Sequence, residues 1–203
     1  MPRRLAQTLG TMNKDQTRNV REVFDKVFEA IFRCWSYVHL IRGLQAGAKA
    51  NKERLEENAL AVDLIYRGVF EAIFAASGTI VDNRKGTYSI PSVITMVRKY
   101  TSEDHPIRAE LKKAEEVLNS EDNSPLIRMR NWRHKVVAHH TKEGRTEKFY
   151  PENKLYLGEV EELLQEIEDL ANQITVPLLK QGTECKTGSE KDVKRQAENL
   201  LNP

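Results

Sequence analysis

The most informative stretch of this 203-residue chain is Arg130-Asn-Trp-Arg-His-Lys-Val-Val-Ala-His-His140. It contains three of the protein's five histidines. It also lies in the most basic region, because residues 128–148 carry a net charge of +5 and the whole chain a formal charge of +2. Histidine titrates near neutral pH and arginine stays charged, so the stretch favours proton transfer beside a bound anion. A solvated basic helix face is the alternative that composition leaves open.

This stretch is predicted to lie on a helix that Ser124 caps and Pro125 opens, because serine and proline are favoured at those positions. At 100° per residue, four side chains fall within about 80° of one another and form an apolar face: Met129, Trp132, Val136 and His139. Arg133 and His140 lie on another line, about 20° apart. Regular helix geometry therefore pairs Arg133 with His140, unless the helix ends or kinks near Ala138.

Amphipathic helices are predicted on both sides of this stretch. Their apolar residues recur at steps of three and four, which is a helical period rather than a strand period. The first extends to residues 43–47, and the second to Ser77, with Gly78 as its stop. The helices are predicted to begin near Asp15, Asn51, Ser89, Asp104 and Leu157, and those that begin near Ser89 and Leu157 are predicted to end near Tyr100 and Leu179. The pattern indicates an all-α fold, a single bundle of four or five main helices with short additional helices.

Length and composition indicate one domain at residues 15–180, between a loose polar N-terminus at 1–14 and a polar C-terminal tail at 181–203. Cys34 and Cys185 are far apart in sequence, which is typical of free thiols in a reducing compartment. The N-terminal residues lack a secretory signal, and charged residues interrupt the most apolar region, 59–81. We therefore expect a cytoplasmic protein with no membrane span.

Charged residues outside the basic stretch define two further features. The last predicted helix contains no Lys or Arg and carries six acids: Glu159, Glu161, Glu162, Glu166, Glu168 and Asp169. The acidic and basic helices would partly offset each other's fields, or the acidic face would meet a basic partner. Asp82, in a predicted turn at residues 82–86, would either form that turn or lend a carboxylate to a site.

Several segments of the chain resemble the abortive-infection branch of the HEPN superfamily, the AbiU-type HEPN domains. The run Arg133-His-Lys-Val-Val-Ala-His139 is similar to the superfamily signature: an arginine, a polar residue and a later histidine near a helix end. Leu64–Phe70, Ile80–Asp82 and Tyr88–Ser92 are similar to the upstream elements of that branch, and the helix at 157–174 to its last helix. The similarity extends over about residues 17–178.

The resemblance implies a metal-independent endoribonuclease of the toxin or anti-phage abortive-infection type, with two motifs meeting at a homodimer interface. Single-stranded RNA would be cleaved through attack by its own 2′-hydroxyl, without a cofactor or a metal. Arg133 would bind the scissile phosphate, His139 would transfer a proton, and His134 would orient the phosphate or share the proton transfer. An antitoxin or defence-system protein would be a further partner. The auxiliary RNA-binding residues would be Arg128, Arg130, Lys135 and His140.

The sequence leaves two alternatives. The family pattern selects His139 as the proton carrier, whereas regular helix geometry selects His140. The second alternative concerns the function. Instead of a ribonuclease, the protein would be a non-catalytic HEPN-like helical module that binds RNA, a nucleotide or a partner protein. An Arg133 tied to the acidic helix, with His139 buried under Trp132, would favour that module. An open cleft that unites the motifs of two protomers would favour the enzyme.

Overall fold

The structure consists of helices. The computed structural model describes residues 12–84, 86–120, 125–138, 148–180, 182–186, 190 and 193–197. Within these ranges there is no strand, and the helices are Lys14–Ala50 (α1), Lys52–Glu57 (α2), Ala59–Ile80 (α3), Ile90–Tyr100 (α4), Ile107–Leu118 (α5), Pro125–Trp132 (α6), Phe149–Glu152 (α7) and Leu157–Leu179 (α8). A π-helical turn, Arg133–Ala138, continues α6. The prediction of an all-α helical bundle is confirmed.

The central helix is α1, and its most extensive contacts are with α3 and α8. Its buried stripe includes the side chains of Phe24, Ile31 and Trp35, which are almost fully shielded from solvent. Burial of one large apolar side chain stabilises the fold by about 1.5–3 kcal/mol relative to exposure. The hydrophobic core is therefore organised around α1. Both cysteines are buried free thiols.

Two helices have the predicted bounds. The Ser89 Oγ accepts a hydrogen bond from the backbone N–H of Ser92 at 3.3 Å, and Pro91 lies in the first turn of α4. The last helix, α8, begins and ends at the predicted residues. None of the helices in the described ranges is long and apolar enough to cross a lipid bilayer.

The second predicted helix differs from the prediction in two ways. It is divided at Asn58 into α2 and α3, where Asn58 Nδ2 donates to the carbonyl of Arg54 at 2.9 Å. Helix α3 then continues through Gly78 to Ile80, so the prediction that Gly78 stops the helix is wrong. The glycine has a packing role instead, because the side chain of Arg133 lies directly against it.

The C-terminal segment, predicted to be a polar tail, packs against the bundle at several of its described residues. Cys185 is buried, and its backbone N–H donates to Glu168 Oε1 at 2.7 Å. The other oxygen of this buried carboxylate accepts a hydrogen bond from Trp35 Nε1 at 2.9 Å. Ala197 is buried against Gly43, where an added β-carbon would lie 2.5 Å from that of Ala197. These contacts connect the segment to α1 and α8.

Candidate anion-binding site

The basic stretch places its arginines at the junction of α6 and the π-helical turn. Helix α6 begins at Pro125, while its predicted cap, Ser124, lies outside the described residues. Met129 is buried and Trp132 is half-buried, so these two members of the predicted apolar face pack inward. Trp132 Nε1 donates to the backbone carbonyl of Asn153 at 2.7 Å. This hydrogen bond connects the end of α6 to the residue that follows α7.

The backbone changes its hydrogen-bonding pattern at Arg133. Residues Arg133–Ala138 form a π-helical turn, in which bonds span five residues instead of four. This wider turn does not keep the 100° spacing on which the geometric pairing of Arg133 with His140 was based, and the choice between the two histidines stays a prediction. His139 and His140 themselves lie outside the described residues. Such π-helical turns occur frequently at functional sites.

Asp82 is the partner of Arg133. Its Oδ2 lies 2.7 Å from Arg133 Nη1, and both side chains are largely shielded from solvent. The N–H group is poorly aligned, so Oδ2 accepts no hydrogen bond of good geometry from the described residues, and the contact is an ion pair. The other oxygen, Oδ1, accepts from the backbone N–H of Arg84 at 3.1 Å. Asp82 therefore both forms the turn after α3 and supplies a carboxylate to the site.

Gly78 makes room for this arginine. It is a buried residue of α3, one helical turn before Asp82. A β-carbon at this position would lie 2.1 Å from Arg133 Cδ and 3.0 Å from both Cβ and Cγ of the same side chain. Such distances are shorter than van der Waals contact, which for two carbon atoms is about 3.5–4.0 Å. The side chain of Arg133 can therefore lie along α3 only because residue 78 has no side chain.

Two further arginines surround the same carboxylate. Arg84 Nε lies 3.9 Å from Asp82 Oδ2, and Arg84 Nη2 lies 3.5 Å from His134 Nδ1. Arg130 Nη2 donates to the backbone carbonyl of Val81 at 3.4 Å. Burial lowers the pKa of Arg130, and the charge of Asp82 raises it in part. One carboxylate thus faces three guanidinium groups, which leaves a net positive charge.

A cavity of about 370 Å³, here named the arginine pocket, opens beside this cluster. Arg130, Arg133 and His134 line it from α6 and the π-helical turn. Glu115 also lines it, but its carboxylate pairs with Arg98 at 2.5 Å. The volume and the positive charge suit a phosphate group with part of a nucleotide.

A family comparison agrees with the predicted resemblance. The family model HEPN_AbiU2, described as AbiU2, matches residues 14–195. The protein belongs to the AbiU2 family of HEPN domains. The match extends beyond the range 17–178 inferred from the resemblance, at both ends. No curated protein and no solved structure was found to be similar to the chain.

One predicted RNA-binding residue of this AbiU2 protein, Arg128, is placed away from the arginine pocket. Its Nη2 lies 2.6 Å from Glu159 Oε1 of α8, and its Nη1 donates to the carbonyl of Lys154. The hydrogen bond from Arg128 lowers the pKa of Glu159. This ion pair joins the basic stretch to the acidic helix, as expected if the two helices partly offset each other's fields. Arg128 therefore contributes to the contact between α6 and α8.

The remaining predicted residues divide into two groups. The structure brings Arg130, Arg133 and His134 of the AbiU2 chain together in one pocket. Lys135 is half-buried and is not part of the pocket lining. The sequence did not point to Gly78 or Arg84 as members of the site. The sequence feature that could have pointed to Arg84 is the basic turn at residues 82–86, at the end of the family-like segment Ile80–Asp82.

Proposed function

We propose that this AbiU2-family protein is a metal-independent endoribonuclease of the toxin or abortive-infection type, which binds an RNA phosphate in the arginine pocket. The observation that carries the proposal is the placement of Arg133, fixed between Gly78 and Asp82 in a pocket that Arg130 and His134 also line. Guanidinium groups bind phosphate through paired, charge-assisted hydrogen bonds. With three arginines around one carboxylate, positive charge is left for an anion after the ion pair forms.

Cleavage in this proposal is an in-line attack of the ribose 2′-oxygen on the adjacent phosphorus. The bond between phosphorus and O2′ forms, the bond to O5′ breaks, and the products are a 2′,3′-cyclic phosphate and a 5′-hydroxyl. A base accepts the proton of the 2′-hydroxyl and an acid protonates the leaving O5′, so the reaction balances without a metal or a cofactor. Arg133 stabilises the negative charge that develops on the non-bridging oxygens.

Histidine supplies the proton transfer. His139 is the proton carrier of the family pattern, with His140 as the alternative, and imidazole titrates near the working pH. His134 lines the pocket with its Nδ1 3.5 Å from Arg84 Nη2, a place where it would orient the phosphate or share the proton transfer. In the same proposal Arg130 contacts the RNA backbone from within the pocket.

A homodimer would bring two such motifs together. The N-terminal half of α3 exposes Leu60, Leu64 and Ile65, at 74%, 60% and 40% of their surface. Clustered exposed apolar side chains mark protein contact surfaces, and a second copy would remove them from water. Leu64 and Gly78 lie on the same helix, about 21 Å apart along its axis, so the orientation of the two copies would decide how near their arginine pockets lie. An antitoxin or other defence-system protein is a further partner in this proposal.

Incubation of the purified protein with total RNA in EDTA tests the proposal. Cleavage is expected to persist in EDTA and to fall by about 10²-fold or more in Arg133→Ala. Arg128→Ala is the matched control, because Arg128 belongs to the same stretch but pairs with Glu159 outside the pocket. Cleavage that EDTA abolishes, or that is equal in Arg133→Ala and wild type, would contradict the proposal.

A non-catalytic helical module that binds RNA, a nucleotide or a partner protein is the second candidate. The observation that favours it is the ion pair of Arg133 with Asp82, which competes with a phosphate for the guanidinium. In the described part of the chain it is Arg128, and not Arg133, that pairs with the acidic helix. Wild-type protein that binds RNA through Arg133 but never cleaves it would favour the module.

A further inference from the structure

We infer that a nucleobase of the RNA stacks in an aromatic groove beside the arginine pocket, an inference that rests on the proposed function. The groove is a cavity of about 720 Å³ between α3 and the region around α7. Its volume is in the range of small-molecule binding sites and is larger than a phosphate needs. Its apolar lining consists of Tyr66, Phe70, Phe74, Trp132, Pro151 and Leu155.

The aromatic groove and the arginine pocket are adjacent on both of the helices that form them. On α6, Trp132 lines the groove and the next residue, Arg133, lines the pocket. On α3, Phe74 lines the groove and Gly78 lines the pocket, and four residues of an α-helix rise about 6 Å. A phosphate bound at Arg133 therefore has an aromatic surface within reach of a base on the same or the neighbouring nucleotide.

The rings of the groove are held in place by contacts within the protein. The Trp132 and Phe74 rings stack, with centroids 5.2 Å apart. Phe70 lies 5.9 Å from Phe74 and 5.0 Å from Tyr66, whose hydroxyl accepts a hydrogen bond from Gln45 at 3.2 Å. Ordered side chains lose little conformational entropy when a ligand binds. Three of these rings are only half-buried and so present surface to a base: Tyr66, Phe70 and Trp132.

The chemistry of the groove fits single-stranded RNA. Arg67 and Lys154 contribute two cations to the lining, against the acid Glu71 in the lining and Asp63, which pairs with Arg67 at 2.9 Å. Stacking on aromatic side chains tolerates any sequence, because every base has a π-face, and it requires an unpaired base. Leu60, Leu64 and Ile65, which form the surface assigned to a second copy of the chain, are not part of the lining.

Binding of a short single-stranded RNA with 2′-O-methyl riboses tests the inference, since the blocked 2′-oxygen prevents cleavage. We expect this RNA to quench the fluorescence of Trp132, and an abasic oligonucleotide of the same length to bind without quenching. In Trp132→Phe the quenching should disappear. Since the other tryptophan, Trp35, is buried in the core, its fluorescence should be unaffected by RNA.

A double variant measures the contribution of the rings. Tyr66→Leu combined with Phe70→Leu keeps apolar volume and removes two aromatic faces. We expect it to bind base-bearing RNA about 10-fold more weakly than wild type and the abasic oligonucleotide equally well. Phe32→Leu is the matched control, because Phe32 is a partly exposed phenylalanine of α1 outside the groove. Circular dichroism of each variant verifies that the helical fold is retained.

The outcomes separate this inference from the proposed function. If Arg133→Ala weakens binding of both oligonucleotides and the double variant binds like wild type, the groove inference is overturned while the arginine pocket stands. If Arg133→Ala changes the binding of neither oligonucleotide, the proposed function fails and the inference fails with it. If the double variant becomes monomeric but keeps its preference for base-bearing RNA, a second copy covers the groove and the inference is overturned.

Discussion

The side chain of Arg133 lies so close to Gly78 that a β-carbon at residue 78 would be 2.1 Å from Arg133 Cδ. Gly78 is in the last turn of α3, and glycine within a helix is less favourable than alanine by up to about 1 kcal/mol. The close contact is a physical reason for this glycine, because a larger residue would displace the arginine from Asp82. The position of the guanidinium is therefore set by α3 as much as by the helix that carries Arg133.

Gly78→Ala is expected to reduce RNA cleavage nearly as much as Arg133→Ala. The added methyl group displaces the arginine, but alanine also favours the helix, so the free energy of unfolding should change by less than about 2 kcal/mol. Cleavage assays and urea denaturation measure the two effects. Gly68→Ala is the matched control, since Gly68 lies in the same helix with open space around it. If Gly78→Ala cleaves RNA at the wild-type rate, cleavage does not depend on the position of Arg133 against α3.

Asp82→Asn is expected to separate RNA binding from cleavage. Asparagine keeps an acceptor for the backbone N–H of Arg84 but removes the charge that orients Arg133. RNA should bind at least as tightly as to the wild type, because the arginines lose a competing carboxylate. The rate constant of the cleavage step should fall about 10-fold or more. Equilibrium binding and single-turnover cleavage measure the two quantities separately. An equal loss of both would indicate that Asp82 only supports the fold.

RNA binding is expected to weaken steeply with salt and to depend on Arg130 and Lys135. Each phosphate contact with a single strand contributes about 0.7 to the slope of log affinity against log salt, because counterions are released. Replacing both residues by glutamine should lower the affinity and reduce the slope by about 1–1.5. Arg128→Gln should leave the slope unchanged, because Arg128 pairs with Glu159. An unchanged slope in the double variant would place the phosphate contacts elsewhere.

His139→Ala and His140→Ala identify the proton carrier. We expect His139→Ala to abolish cleavage, a loss of about 10²–10⁴-fold, and His140→Ala to retain substantial activity. The reverse order was expected for a regular α-helix through Ala138, whereas Arg133–Ala138 is π-helical. Cleavage rates of the two variants decide between His139 and His140, and circular dichroism verifies that both variants keep the helical fold. If neither substitution matters and cleavage persists in EDTA, the ribonuclease activity does not belong to this motif.

The protein is expected to be a homodimer with a mass near twice 23.4 kDa at micromolar concentration. Leu64→Lys should produce a monomer, because it places a charge in the exposed apolar surface of α3. Val176→Lys is the matched control, since Val176 is an exposed apolar residue of α8. Light scattering of the three proteins measures the mass. A wild type that is monomeric at every concentration would argue against a site shared between two protomers.

The sequence by itself determined the helical fold and the family. Apolar spacing and capping are local properties, so the bounds of α4 and α8 could be predicted from the residues within them. The signature from Arg133 to His139 pointed to the HEPN superfamily, and the match over residues 14–195 agrees. The π-helical turn was not predictable, because a regular α-helix satisfies the same apolar pattern.

Only the tertiary structure decided which side chains surround Arg133. Arg128 and Arg130 have the same chemistry and lie two residues apart, yet one pairs with Glu159 and the other lines the arginine pocket. Residues two apart on a helix do not share a face, and which face meets which neighbour depends on how the helices pack. Gly78 belongs to the site for the same reason. The end of α3 packs against the end of α6, and these two segments are distant in sequence.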